Sequence, residues 1–147
     1  MRIRWALTVA LALAILSLGG SLHARAPAPD YEMIVPSSQP DEAVDRLFLA
    51  DAFLKKVTTW PNGEQIRPVD QTAGSSTRKS FTEDVLRRSV EAVKSYWQRR
   101  IFAGGDVPPP ELDGNDEVVA YVAKHPGAVG YVAPGTILQG AKVLAMK

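Results

Sequence analysis

The chain has 147 residues, 46% of them hydrophobic and 22% charged, with a formal net charge of +1. This composition suits one globular domain of ordinary size and excludes a collagen-like, disordered or membrane-bundle chain. The absence of cysteine excludes a disulfide framework, a thiolate metal site, a redox CxxC and a cysteine nucleophile. The near-neutral charge lacks the basic excess that nucleic-acid binding requires.

The first segment reads as an export signal. Arg2 and Arg4 form a short positive region, and Trp5 to Leu18 is a 14-residue apolar run broken only by Thr8 and Ser17. Gly19-Gly20-Ser21 ends it, and Ala24 supplies a small residue for cleavage. A spanning helix needs about 20 apolar residues, so the run is short for an anchor. Residues 1–24 are therefore expected to be a cleaved signal peptide and the mature chain to be periplasmic, with no membrane span left. Cleavage would remove two of the 17 basic residues and none of the 16 acidic ones, leaving a net charge of −1.

Arg25 to Asp30, with Pro27 and Pro29, reads as an extended linker before a domain over residues 31–147. Tyr31 to Val35 is apolar and partly β-branched, which predicts a strand ended by Pro36. Asp41 is a candidate N-cap for a helix over 42–50, with Val44, Leu47 and Phe48 on one apolar stripe. Residues 52–57 read as a further helical turn, Trp60 to Gly63 as a tight turn, and 65–69 as a short strand. A polar loop over 70–77 precedes a helix over 81–88. Ser89 caps another helix through Ile101, with Val93, Tyr96, Trp97 and Ile101 sharing a face. A Gly/Pro-rich loop follows. Asp113 or Asn115 then caps a helix over 116–124, stopped by His125-Pro126-Gly127. Ala128 to Val132 reads as a buried strand, and 141–146 as a last one. Strands separated by helices indicate an α/β fold with a small mixed or parallel sheet.

Catalytic chemistry is sparse. His125 would be the one imidazole of the mature chain, and it reads as a helix-end residue facing the dipole. There is no GxSxG elbow, no P-loop and no GxGxxG. The carboxylates lack metal-ligand spacing. The expectation is a non-enzyme with no cofactor and no metal. One constellation remains: Gly74-Ser75-Ser76-Thr77-Arg78, between a candidate strand and a candidate helix. Small residues, hydroxyls, a helix N-terminus and a guanidinium fork would together cradle an oxyanion. The alternative is plain N-capping in a polar loop, and Ser80-Phe-Thr-Glu83 competes as a capping box that would start the helix later. Trp60, Tyr96, Trp97, Phe102 and Tyr131 read as core aromatics.

Several segments, in order, resemble the phosphate-type periplasmic solute-binding proteins of ABC transporters, of the type 2 periplasmic binding protein superfamily, and in particular short single-lobe relatives of them. These are Tyr31 to Pro36, Leu47-Phe-Leu49 with Phe53 to Trp60, Ile66 to Phe81, Tyr96-Trp97 with Phe102-Ala-Gly104, and Pro126 to Val132. The resemblance implies the second lobe alone of a two-lobed clam, with the anion held at the equivalent of that family's SGT turn. Here Ser75-Ser76-Thr77 stands in that place, Ser76 replaces the glycine, and Gln71 sits where the family has an arginine. Arg78 would then substitute from the other side of the turn, and Asp70 would either accept a proton from the anion or cap the turn. The implied partners are phosphate or a similar oxyanion and an ABC permease. The other reading is a non-transport envelope module that keeps the lobe and pairs with another protein.

Overall fold

The computed structural model describes residues 27–147. Residues 1–24, read as a signal peptide, lie outside the described residues, and of the linker only Pro27 to Asp30 lie inside, exposed. In chain order the elements are β1 (Glu32–Pro36), β2 (Ala43–Val44), α1 (Arg46–Phe53), β3 (Arg67–Pro68), β4 (Asp70–Gln71), α2 (Ser76–Asp84), α3 (Val90–Phe102), β5 (Glu111–Leu112), α4 (Asn115–Lys124), β6 (Ala128–Val132), β7 (Ala141–Val143) and β8 (Ala145–Met146).

A four-stranded mixed sheet, ordered β3-β6-β1-β7, forms the centre. Strand β1 runs antiparallel to both β6 and β7, and β3 runs parallel to β6. Alternation along the strands divides the interior in two. Met33, Val35, Val129 and Tyr131 face α1, α2 and α3, together with Leu49, Phe53, Phe81 and Trp97. Ile34, Ala128 and Val132 face α4 through Val118, Val119 and Val122. Both faces are covered, so β1 and β6 read as nearly continuous apolar runs and not as an alternating pattern. Gly130 sits where α4 crosses the sheet, and a Cβ there would lie 2.7 Å from Val118 Cγ1. Among the described residues, the core is drawn from residues 31–144.

Several boundaries differ from the sequence expectation. Helix α1 is capped by Asp45, whose carboxylate accepts from the Leu47 amide at 2.7 Å, and not by Asp41. The preceding residues are drawn into β2, which pairs in parallel with β8. The shift turns Leu47 outward, 67% exposed, while Leu49, Ala50, Ala52 and Phe53 form the buried face. Helix α4 starts from Gly114 at φ 94°, a left-handed conformation that neither expected cap, Asp113 or Asn115, would adopt readily. Glu117 instead reaches back to the Asp113 amide at 2.9 Å. Helix α3 begins at Ser89 as expected, but Ile101 and Phe102 at its end are exposed and take no part in the core. The last strand is split at Leu144, whose buried side chain joins the core while its amide donates to Met33 O at 2.8 Å.

Candidate functional site

The position of the α2 N-terminus decides what the serine-rich turn can do. The helix begins at Ser76, one turn before the Ser80 capping box would have placed it. Ser75 is the N-cap: its backbone is extended and its hydroxyl accepts from the Arg78 amide at 3.2 Å. The Ser75 amide donates to Thr72 O at 3.0 Å, closing the turn below the helix. The first amides of a helix have no partner within it, so those of Ser76 and Thr77 stand at the positive end of the dipole. Ser76 is exposed and Thr77 is buried. Gly74 meets nothing within 4 Å of an added Cβ, so the approach to the turn is open. The turn borders a hollow of 300 Å³ that also touches Lys79, Glu83 and Glu91. Lys79 is paired with Glu83 at 3.2 Å one helical turn on.

The remaining expected ligand groups are engaged inside the protein. Gln71 is buried, and its Nε2 donates to Tyr131 O at 3.0 Å and to Asn115 Oδ1 at 3.1 Å. Its Oε1 accepts from the Ser75 hydroxyl at 2.6 Å. Gln71 thus ties the cap of α2 to β6 and to the first turn of α4. Arg78 is also buried. Its Nη1 donates to Gln71 O and to Glu111 Oε1, both at 2.6 Å, and its Nη2 lies 3.2 Å from Asp70 Oδ2. The fork expected to face an anion is turned inward through Nη1 and Nη2 and clamps α2 to β4 and β5, while the buried Nε has no hydrogen-bond partner among the described residues. Strands β4 and β5 pair in parallel, which brings Glu111 beside Arg78. Asp70 accepts from the Tyr131 hydroxyl, the Gln71 amide and Arg78. These contacts hold Asp70 inside the protein.

The electrostatics follow from this burial. Desolvation raises the Asp70 carboxyl above its ordinary value, although Arg78 and Tyr131 both pull it down. Desolvation and the neighbouring Asp70 charge push the Tyr131 phenol far above its ordinary range. Burial works against the Arg78 cation, yet Asp70 and Glu111 outweigh it and hold the guanidinium charged. A second cluster lies at the other end of α2. Asp84 accepts from Tyr31 and pairs with Arg46. Burial raises the Asp84 carboxyl, but Arg46 and Tyr31 together bring it below its ordinary value.

Sequence reasoning did not find the supporting roles of Asn115, Tyr131 and Glu111. Their partners lie 33 to 61 residues away in sequence. Among the described residues, no group of three or more His, Asp or Glu side chains could hold a metal ion. None of the described helices is long and apolar enough to cross a membrane.

No family model matches the sequence, and no curated protein matches it. Solved structures do. A Clostridium perfringens protein assigned to the phosphate ABC transporter substrate-binding proteins and solved with bound phosphate superposes with a TM-score of 0.63 at 18% identity, over 80% of this chain and 44% of its own. An ABC-type phosphate transport receptor from Vibrio cholerae gives 0.62 at 21%, over 80% and 46%. PstS from Borrelia burgdorferi gives 0.62 at 14%, over 80% and 47%. The fold is that of one lobe of the phosphate-binding proteins. The chain spans less than half the length of these neighbours.

Proposed function

We propose that this chain is an exported solute-binding domain of the periplasm that holds phosphate or a related oxyanion at the N-terminus of α2 for an ABC transporter. The start of α2 at Ser76 carries the reading, because it places the Ser75-Ser76-Thr77 turn at the helix's positive end. The ligand-holding groups are the amides of Ser76 and Thr77 and the hydroxyl of Ser76, with Lys79 and its partner Glu83 at the rim; the Ser75 hydroxyl is committed to Gln71. Gln71, Asp70 and Arg78 are positioning residues that hold the turn in place. With the guanidinium engaged elsewhere, the cradle offers neutral donors and a dipole, which favours modest affinity. The work is binding, not bond-making.

Calorimetry on residues 25–147 with phosphate and with sulfate tests this. Binding heat is expected, and Ser76→Asp is expected to abolish it without lowering Tm, because an acid in the first turn suits the helix dipole but repels an anion. No heat and no thermal shift at millimolar anion would refute the reading. The span of less than half of each neighbour favours a second reading, a lobe completed by another envelope protein. Anion binding only in the presence of a co-purifying partner would select it.

A further inference from the structure

We infer that the C-terminal tip of α3 and the loop after it form a peripheral docking site for an anionic lipid surface. Three large apolar side chains protrude there: Phe102 is 91% exposed, Val107 60% and Ile101 48%. The loop turns back on the helix end. Gly104 adopts φ 74°, the Gly105 amide donates to Arg100 O at 2.8 Å, and Asp106 pairs with Arg100 at 3.2 Å. Ile101 and Pro108 line the same groove, which sets Val107 beside the helix tip. The result is three exposed apolar side chains within residues 101–107.

Charge selects the occupant. Residues 87–107 carry Arg87, Arg88, Lys94, Arg99 and Arg100 against Glu91 and Asp106, a net charge of +3. The rest of residues 27–147 has nine basic and fourteen acidic residues, a net charge of −5. The basic excess is thus concentrated along α3 and its flanking segments, with Arg99 and Arg100 next to the apolar tip and Arg100 paired with Asp106. Arg88 and Arg100 lie against Tyr96, 5.5 and 5.7 Å from its ring centre, which holds both cations at the surface. A stable protein interface covers roughly 800 Å² per partner, a broad surface, whereas three apolar side chains stand exposed here. Aromatic and aliphatic side chains ringed by Arg and Lys suit shallow insertion at a headgroup boundary, and each cation near an anionic leaflet adds attraction.

Co-sedimentation of residues 25–147, which leaves out the apolar leader, tests the inference. Binding is expected to vesicles of equal parts phosphatidylglycerol and phosphatidylcholine, to be absent with phosphatidylcholine alone, and to fall with salt. Phe102→Ser removes an exposed side chain and is expected to leave Tm unchanged while weakening binding by about tenfold; Arg99→Glu is expected to reduce it without altering the fold. Equal binding to both vesicle types, no binding to either, or unchanged binding by Phe102→Ser would overturn the inference. Concentration-dependent self-association lost in Phe102→Ser, without lipid binding, would overturn it in favour of a protein interface. The inference does not rest on the anion reading, and calorimetry with phosphate leaves it untouched either way.

Discussion

Replacing Arg78 with methionine separates a structural clamp from an anion ligand. The Arg78 side chain is 5% exposed and that of Asp70 is 8% exposed, so the substitution leaves a buried carboxylate without its cation. Breaking a buried pair by removing one partner costs about 3–5 kcal/mol. Asp70 keeps the Tyr131 hydroxyl and the Gln71 amide, which points to the lower end, about 3 kcal/mol. Unfolding entropy near 60 °C is about 2.1 cal/mol/K per residue. For residues 27–147 that sums to roughly 0.25 kcal/mol/K, and the expected fall in Tm is about 12 °C. Circular-dichroism melts of residues 25–147 measure it. Acidification supplies a signed check. Asp70 titrates above its ordinary value in the folded state, so folding takes up a proton there, and its burial penalty disappears as pH falls through that raised value. Without Arg78 the carboxyl rises further, so the deficit of Arg78→Met is expected to narrow from pH 8 to pH 5. Asp70→Asn in the same chain is expected to recover part of the loss. A melt within about 3 °C of the parent, or an Arg78→Lys variant that keeps its Tm but loses anion binding, would refute the clamp and return the guanidinium to the ligand.

Three further outcomes follow from the same contacts. Gly130→Ala places a Cβ 2.7 Å from Val118 Cγ1 and 2.9 Å from Val69 Cγ1, and is expected to lower stability in urea denaturation by about 1–3 kcal/mol through overpacking. Ser75→Ala removes both the α2 cap and the hydroxyl bonded to Gln71; a loss of about 0.5–2 kcal/mol is expected, with weaker phosphate binding in calorimetry as the turn loosens. Asp84 titrates below its ordinary value of 3.8 in the folded state. Its contribution is present above that value and is lost as pH falls through the lower folded one, so acid melts of Asp84→Asn should converge with the parent at the lowest pH.

How much was legible depended on the range over which each contact acts. Strands β1 and β6 announce themselves because both sheet faces are covered and their residues are almost uniformly apolar. Helix α3 is legible from Ser89, a local cap acting on an amide three residues on. At α2 two local signals compete, Ser75 and Ser80. The structure selects Ser75, and the helix started there also buries Thr77 and Arg78, which a start at Ser80 would leave in the loop. Spacing alone does not carry that tertiary preference. The fate of Arg78 was illegible for a stronger reason. It depends on Glu111, 33 residues away, and on the pairing of β4 with β5, two strands of two residues each. Read locally, an arginine beside a serine turn is a ligand group. Placed beside the buried Asp70 and the exposed Glu111, it is a clamp.

Among the described residues, the segments at either end meet at one corner. Tyr31 and Met146 touch through the phenol and the thioether, and the Arg46 amide donates to Lys147 O at 3.3 Å. Strand β2 pairs with β8 beside them. Both ends of the domain therefore leave from one corner, sealed by its own hydrogen bonds. A second lobe joined at such a corner would add a wall to the hollow beside α2 and stand apart from the two hydrophobic clusters on either side of the central sheet. The core of the described residues and the proposed cleft are separable in this architecture: the core closes on both sides of the central sheet, and the proposed anion site is one wall at the start of α2. If anion binding is strong in the isolated domain, that wall suffices. If it emerges only with a partner, the same turn serves as half of a shared site.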